Sequence, residues 1–338
     1  MKKEFAPTGK AHQNFKFTVD RNDVGRRIDR VLRKILSDAP LSTIYRLLRT
    51  GDIKINNHKI LPSYRLKTND KIELPSPPPS PSHSHFIPNL KQNYPGIDSL
   101  IIEETEDFIV VNKPRGMLVH GKNSLNTILL GYLNNLRKKP NYPRAFTPGP
   151  IHRLDRNTSG IVLFSKTLRG AKQLSKLFRE HEIIKIYLAV VEGSIDQETT
   201  LKDILHRDRN KKKTEVVTSP GGTKDKEATT YIYPITSQNN LTLTLCIPIT
   251  GKTHQIRAQL GNYGHPLFGD TKYGGQKNRE GFFLHALQLV VKKREILNGL
   301  KNFFAPIPEE SYIMLESYFG KGCLKRLREK INEIIDTI

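Results

Sequence analysis

The residues best suited to chemistry lie in one short segment, His152–Gly160, with the sequence HRLDRNTSG. It sets a single carboxylate, Asp155, between Arg153 and Arg156. The apolar run Ile161–Phe164 follows at once and predicts a buried strand, so the segment is expected to be a loop at the mouth of a sheet. A carboxylate among cations that suit phosphate indicates nucleophilic chemistry on a nucleotide. That Asp155 only caps the next element stays open as an alternative.

The charge balance of the chain indicates a polyanionic partner. Its 338 residues include 55 Lys and Arg against 33 Asp and Glu, for a formal net charge of +22. Such an excess is typical of proteins that bind nucleic acid or an anionic membrane surface. No apolar run is long enough to span a bilayer and the first residues lack a signal-peptide core, so no membrane role is expected. Two distant cysteines, Cys246 and Cys323, favour a reduced, cytoplasmic setting.

The first 75 residues are expected to form a small basic domain. They hold 17 Lys and Arg against 8 Asp and Glu. One helix is predicted from about Arg27 to Ser37, and a second is predicted after Ser42, its expected N-cap, up to a stop at Gly51. A strand and an Asx turn are predicted over 52–57. The basic side chains either form an ordinary solvated face or bind RNA.

This layout resembles the S4 RNA-binding domain over about residues 22–74, and we therefore place an S4-like domain at 16–75. The resemblance implies that its basic side chains contact RNA. The candidate RNA-binding residues are Arg26, Arg30, Arg33, Arg46, Arg49 and Lys54.

A Pro/Ser-rich stretch at 76–99 predicts an extended, solvated linker. Its His83 and His85 could suggest a metal site, but no further ligands support one and none is expected. Residues 100–308 alternate between strand-like and helix-like patterns and are predicted to be the catalytic domain. Residues 309–338 predict an amphipathic helical extension.

The pattern HRLDxxTSG around Asp155 resembles the signature of the RluA-type pseudouridine synthases, which isomerise uridine in RNA. Further blocks of the same resemblance lie at 107–120, 185–193, 251–257, 265–270 and 284–286. With the S4-like domain, the resemblance covers about residues 15–308. Leu41–Arg49 followed by Gly51 is most similar to the RluC type, which modifies 23S ribosomal RNA. The implied fold is α+β: a largely antiparallel, bent, mixed sheet with flanking helices, beside a small α/β S4-like domain.

The implied reaction explains why an acid is needed. The base of uridine must leave C1′, rotate and rejoin through C5, without redox change or net hydrolysis. We therefore expect neither a metal nor an organic cofactor. The resemblance assigns Asp155 the role of nucleophile, and the sequence leaves open whether it attacks C1′ directly or promotes elimination to a glycal.

The resemblance also assigns roles to residues elsewhere in the chain. Arg257 is expected to keep Asp155 ionised, since a desolvated carboxylate otherwise prefers its neutral form. Thr253 is expected to cap the helix beginning at His254 that carries it. Tyr187 is expected to stack on the base and take the C5 proton. A surface phosphate contact for Arg257 and simple packing for Tyr187 remain alternatives.

Access to the target nucleotide predicts three more site residues. A stacked uridine must be flipped out before its glycosidic bond can react. Arg153 resembles the family residue that fills the vacated position, and a plain phosphate contact is its alternative. Leu284 is expected to support the pocket wall, and His152 to orient the catalytic loop.

The expected function is isomerisation of uridine in 23S rRNA, or its large-subunit precursor, by a cytoplasmic monomer. The alternative is a non-catalytic RNA-binding factor in ribosome assembly that uses the same basic surfaces.

Overall fold

The computed structural model describes residues 15–19, 21–36, 39–75, 96–135, 146–208, 210–219, 225–292 and 302–337. The chain forms two compact units, the first of which takes in residues up to 93 together with 130–148 and 167–169. The second takes in 94–129, 149–166 and everything from 170 onward. The expected linker at 76–99 lies outside the described residues as far as residue 95. Its bounds, and those of the neighbouring domains, stay predictions.

The smaller unit is a four-stranded antiparallel sheet with two helices. Its elements are β1 (Phe15–Thr18), α1 (Ile28–Ile35), α2 (Leu41–Thr50), β2 (Lys54–Ile55), β3 (His58–Lys59) and β4 (Lys71–Leu74). The strands lie in the order β1-β4-β2-β3. Apolar side chains of both helices pack with the sheet in one core. Helix α1 contributes Ile28 and Leu32, and helix α2 contributes Ile44 and Leu48. The basic residues between those positions are left at the surface.

The start of α2 differs from the sequence-based expectation. Ser42 is not the N-cap, because the helix begins at Leu41 and Pro40 precedes it with φ −55° and ψ 147°. The Pro40 carbonyl accepts the amides of Thr43 and Ile44 at 2.9 and 3.3 Å, so the first turn is already closed upstream of Ser42. The stop at Gly51 is confirmed, since it adopts a left-handed conformation with φ 83°.

Over its described residues, the larger unit contains an eleven-stranded sheet and flanking helices. Its first elements are α3 (Ile97–Leu100), β5 (Ile101–Glu104), β6 (Phe108–Lys113), α4 (Leu125–Asn135), β7 (Gly149–Pro150), β8 (Ser159–Ser165), α5 (Leu168–Arg179) and β9 (Ile183–Glu192). The division assigns α4 from residue 130 onward and the first two residues of α5 to the first unit. Then follow β10 (Thr199–Asp208), β11 (Lys213–Val217), β12 (Lys226–Gln238), β13 (Leu241–Pro248), α6 (Gln255–Asn262), a 3₁₀ turn at Thr271–Tyr273, β14 (Leu284–Val291), β15 (Phe303–Phe304), α7 (Glu309–Phe319) and α8 (Cys323–Thr337).

The sheet follows the order β11-β10-β12-β13-β9-β14-β8-β6-β5, with β15 and β7 paired at its side. β14 pairs with β8 in parallel, and the other ladders between described strands of this sheet are antiparallel. This confirms the predicted α+β class with a large, largely antiparallel mixed sheet.

Alternate residues of β9 face two different layers. Ile186 and Leu188 pack with α7 and α8 on one face, whereas Tyr187 and Ala189 pack with residues of α6 on the other. The predicted helical extension is therefore two helices, separated at Gly320, that cover the sheet face opposite Tyr187. Within the described ranges, no helix is long and apolar enough to cross a membrane.

Gly160 fixes the place where the Asp155 loop enters the sheet. It has φ 108°, and a Cβ built on it would lie 2.3 Å from the backbone oxygen of Ala286 on β14. Only glycine allows β8 and β14 to approach this closely at the start of their parallel pairing. The last residue of the HRLDRNTSG segment thus holds the Asp155 loop next to β14.

Candidate active site

Asp155 lies in a cleft of about 360 Å³ in the larger unit. Residues from the Asp155 loop, β9, the segment before α6, α6 itself and the start of β14 line this cleft. The six catalytic and substrate-binding candidates, which are scattered over more than 130 positions in sequence, all belong to its lining. They are His152, Arg153, Asp155, Tyr187, Arg257 and Leu284.

The Asp155 loop is anchored to the segment that follows β6. The amide of Gly116 donates to the Arg156 carbonyl at 2.9 Å, and the Arg156 Nε donates back to the Gly116 carbonyl at 3.0 Å. Within the loop, the Thr158 amide donates to the Asp155 carbonyl at 3.2 Å. These bonds place the carboxylate on a rigid backbone instead of a mobile one.

Lys113 is a buried cation directly beneath this anchor. It is 0% exposed, and its Nζ donates to the carbonyls of Pro114, Met117 and Arg156 at 3.0, 2.9 and 3.2 Å. Burial lowers the pKa of Lys113 to about 8, although the charge of Asp155 acts to raise it. The ammonium uses all three donors on carbonyls and so ties the two loops together.

Arg257 bridges two carboxylates. Its Nη1 donates to Asp155 Oδ2 at 3.2 Å, while its Nε and Nη2 donate to Asp270 Oδ2 and Oδ1 at 2.7 and 2.9 Å. The side chains of Arg257 and Asp270 are 9% and 2% exposed, and that of Asp155 is 19% exposed. Asp270 thus binds the guanidinium in a bidentate pair and fixes the remaining N–H groups toward Asp155.

The surroundings of Arg257 keep it charged. Burial acts to lower the pKa of Arg257, but the hydrogen bonds and charge of Asp270, followed by those of Asp155, outweigh it and raise the pKa. Its guanidinium carbon also lies 4.9 Å from the ring centre of Tyr273 and 4.5 Å from that of Phe282. Sequence reasoning named the block 265–270 but gave Asp270 no role, because only the fold brings it to Arg257, 13 positions earlier.

The start of α6 contradicts the expected cap. Thr253 is not its N-cap, because the helix begins at Gln255 and the residue before it is His254, in a left-handed conformation with φ 56°. The Thr253 carbonyl instead accepts the hydroxyl of Thr214 at 2.8 Å. Arg257 still lies on a helix, as expected, within its first turn.

Tyr187 and Leu284 line the cleft from neighbouring strands. Burial, and then the charge of Asp155, raise the pKa of Tyr187, so its phenol carries a proton at neutral pH. Leu284 is 5% exposed and packs in the same cluster as Tyr187. The cleft therefore sets an aromatic ring and an apolar wall beside the carboxylate.

His152 joins the Asp155 loop to β8. Its Nε2 accepts the amide of Leu163 on β8 at 3.0 Å, and its ring lies 5.0 Å from that of Phe178. Burial, and then the charge of Lys185, lower the pKa of His152 to about 3, so the ring is neutral. Arg153, next to it, is exposed at the cleft.

Lys185 is a cleft residue that sequence reasoning did not assign. Its Nζ donates to the Thr250 carbonyl at 3.2 Å. Burial, followed by the charge of Lys252, lowers its pKa to about 8. The sequence could have indicated this position, because Lys185 lies two residues before Tyr187 on a predicted strand and side chains at i and i+2 of a strand face the same way.

The basic candidates of the smaller unit lie at its surface. Arg26 differs from the others, because it pairs with Asp23 at 2.7 Å and its side chain is 20% exposed. The other five, all exposed, are Arg30, Arg33, Arg46, Arg49 and Lys54.

The burial of His285 is expected to make the free energy of unfolding fall at acid pH. It is 0% exposed, with Nδ1 2.8 Å from Ser159 Oγ and Nε2 3.3 Å from the Ala305 carbonyl, and burial lowers its pKa to about 4. Its unfolded pKa is about 6.5, so it contributes stability that is complete above that pH and is lost as pH falls toward 4. The free energy of unfolding, measured with urea, should fall between pH 7 and pH 4.5 in the wild type. In His285→Gln we expect this decrease to be smaller by about 2 kcal/mol.

The control for this experiment is His58→Gln, at an exposed histidine of β3. It should leave the pH dependence of the unfolding free energy as in the wild type. An equal effect of the two substitutions would contradict the assignment to His285.

Among the described residues there is no group of three or more His, Cys, Asp or Glu side chains arranged to hold a metal ion. The His152, His254 and His285 rings each have hydrogen-bonding partners in the protein. Both cysteines are free and buried.

The fold and the family are identified by comparison with known proteins. The chain resembles the solved structure of human RNA pseudouridylate synthase domain containing 4, with a TM-score of 0.53 and 22% identity over 69% of this chain and 94% of that one. Residues 107–262, which include Asp155, Tyr187 and Arg257, match the family model described as RNA pseudouridylate synthase.

Curated relatives extend this match over most of the chain. Ribosomal large subunit pseudouridine synthase C of Vibrio parahaemolyticus is 32% identical over 80% of this chain and 86% of its own length. The protein of the same name from Escherichia coli strain K12 is 32% identical over 76% of this chain and 78% of its own. The chain belongs to the RNA pseudouridylate synthase family and is an RNA pseudouridine synthase.

Proposed function

We propose that this protein isomerises specific uridines to pseudouridine in 23S rRNA or its large-subunit precursor, with Asp155 as the nucleophile. The relatives named for the large ribosomal subunit support the substrate class. Such a substrate places its action in the cytoplasm, and we propose that it acts as a monomer. A target nucleotide is expected to be flipped into the cleft, since stacking shields its glycosidic bond.

The observation that carries this proposal is the Asp155–Arg257–Asp270 arrangement. A carboxylate that is 19% exposed and 3.2 Å from a fixed guanidinium can stay ionised in a partly dry cleft. Such a group can attack carbon as a nucleophile. A protein that only binds RNA gains nothing from two carboxylates at this position, because carboxylates repel phosphate.

The other cleft residues fit successive needs of the reaction. Tyr187 offers a ring for stacking on the uracil, and Leu284 closes the apolar wall. Because burial keeps the phenol protonated at neutral pH, Tyr187 can take the C5 proton only after its own proton has passed to solvent. Arg153 is placed at the cleft to occupy the position that the flipped uridine leaves. His152 holds the loop through its bond to Leu163. Neither a metal nor an organic cofactor enters these steps.

The substrate class is tested by mapping pseudouridine. Transcripts of large-subunit and small-subunit rRNA are incubated with the protein, then labelled chemically at pseudouridine and read by primer extension. We expect stops at discrete positions of the large-subunit transcript and none in the small-subunit one. Modification of the small-subunit transcript alone would overturn the substrate assignment.

The assembly-factor alternative predicts a different result. A non-catalytic binder would retain RNA without adding any stop, and Asp155→Ala would give the same map as the wild type. Membership of the chain in an enzyme family favours catalysis.

The smaller unit is proposed to dock RNA through an S4-like surface. Its exposed arginines on α1 and α2 support this role, as they have no fixed position in a core. Each lysine or arginine that neutralises a phosphate releases condensed counterions, which makes binding depend on salt.

Neutralising three of these arginines is therefore expected to flatten the salt dependence of RNA binding. In the triple variant Arg30→Gln, Arg33→Gln and Arg49→Gln, the slope of log K against log salt should fall by about 2 to 3. The control, with the same change in charge at the exposed Lys321, Lys325 and Arg328, should keep the slope. Equal slopes in the two variants, measured by filter binding at several salt concentrations, would rule out docking through this surface.

A further inference from the structure

We propose that His254 is a positioning residue for the reaction: Tyr273 holds its imidazole neutral in one tautomer, so that its Nε2–H faces and orients the Asp155 carboxylate. This inference rests on the proposed function and deepens it. It adds a second donor that faces Asp155, at the same carboxylate oxygen that Arg257 approaches.

The geometry places His254 between two oxygen atoms. Its Nε2 is 3.6 Å from Asp155 Oδ2, and its Nδ1 is 2.7 Å from the hydroxyl oxygen of Tyr273. The two rings meet edge to face, 5.7 Å apart at 84°. The His254 side chain is 14% exposed and its backbone has φ 56°, a strained conformation for a residue with a Cβ. Strain of this kind persists where the surroundings hold the residue in place.

The hydrogen bonds of Tyr273 decide the tautomer. Its oxygen accepts the amide of Thr214 at 3.0 Å, a contact in which the phenol keeps its own proton. Burial raises the pKa of Tyr273, which keeps the phenol protonated at neutral pH. A phenol is a better donor than a neutral imidazole, and an imidazole nitrogen is a better acceptor than a phenol oxygen. The Tyr273 hydroxyl therefore donates to Nδ1, and the histidine proton lies on Nε2.

The charges around His254 favour the neutral ring. Burial is the main cause that lowers the pKa of His254 to about 4; the charge of Asp155 acts against it, while Arg257, Arg207 and Lys272 act with it. A ring of such low basicity is a poor proton acceptor but a good fixed donor.

The contact between His254 Nε2 and Asp155 Oδ2, at 3.6 Å, is longer than a hydrogen bond. Contacts of this kind in an active site are expected to shorten in the complex with substrate.

Two substitutions separate positioning from support of the fold. Glutamine places its amide nitrogen near the position of the imidazole Nε2, so His254→Gln keeps a donor toward Asp155. Asparagine reaches only the Nδ1 position, so His254→Asn loses that donor, yet it suits the left-handed backbone better than glutamine. A purely structural role would therefore favour Asn, and a positioning role favours Gln.

The measurement is the single-turnover rate of pseudouridine formation in a large-subunit rRNA transcript, together with RNA affinity. We expect His254→Asn to lower the rate by about 10-fold to 100-fold with Kd within about twofold, and His254→Gln to stay within about fivefold of the wild type. The opposite order, or a wild-type rate for Asn, would overturn the inference. A wild type that forms no pseudouridine would instead overturn the proposed function.

Tyr273→Phe tests the link between the two rings. It removes the hydroxyl and keeps the ring on which the Arg257 guanidinium stacks. We expect a loss of rate of about threefold to tenfold in the wild-type background and no further loss in the His254→Asn background, because the Tyr273 hydroxyl acts only by holding the His254 Nε2–H that His254→Asn removes. Losses that multiply in the double variant would contradict the proposed link between Tyr273 and His254.

Discussion

Asp155→Asn is expected to lower the single-turnover rate of pseudouridine formation by at least about 10³-fold, because the amide cannot act as a nucleophile. The amide has almost the same shape as the carboxylate and can still face Arg257, while Asp270 keeps the guanidinium in place. RNA affinity and the free energy of unfolding should therefore stay close to those of the wild type. Rates are measured with excess enzyme by chemical labelling of pseudouridine.

The matched control is Asp336→Asn, at an exposed acid near the end of α8. It makes the same change of charge and should leave the rate unchanged. A rate for Asp155→Asn within about tenfold of the wild type would rule out Asp155 as the nucleophile.

Arg257→Leu is expected to abolish activity and also to destabilise the fold. It leaves Asp270, 2% exposed, without its bidentate partner, and breaking a buried pair in this way costs about 3 to 5 kcal/mol. Asp155 loses its fixed cation at the same time. Urea unfolding measures the first effect, and single-turnover assays at a temperature where the variant is folded measure the second.

The double variant Arg257→Leu and Asp270→Asn separates these effects. It removes the uncompensated buried charge, so most of the lost stability should return. Activity should not return, because Asp155 still lacks its cation. A double variant as active as the wild type would contradict the role of Arg257 at Asp155, and one as unstable as Arg257→Leu would contradict the buried pair.

The six candidate residues that line the cleft could be named from sequence because they belong to motifs with a fixed order. The HRLDRNTSG segment predicted a loop before a buried strand, and β8 begins at Ser159 within it. The α+β class followed from the same resemblance and is confirmed. What joins these residues in space is the sheet, since β9 and β14 are neighbours and bring Tyr187 beside Leu284.

The errors and omissions have local physical causes. Both expected N-caps are wrong because a neighbouring residue sets the backbone: α2 begins at Leu41, directly after Pro40 and one residue before Ser42, and the left-handed His254 separates Thr253 from α6. A sequence pattern shows a hydroxyl residue before a predicted helix, but it does not give the backbone φ angles that decide where the helix begins. Asp270 was missed for a different reason, because its partner Arg257 is reached only through the fold.

The most direct test of the central claim follows the hydrogen at C5. Pseudouridine has its glycosidic bond at C5, so each isomerisation must release the hydrogen that uridine carries there. Large-subunit rRNA labelled with tritium at C5 of uridine is incubated with the protein, and the tritium released to water is counted. We predict release in proportion to the pseudouridine formed with the wild type, and none with Asp155→Asn. No release by the wild type, or equal release by both, would contradict the proposed mechanism.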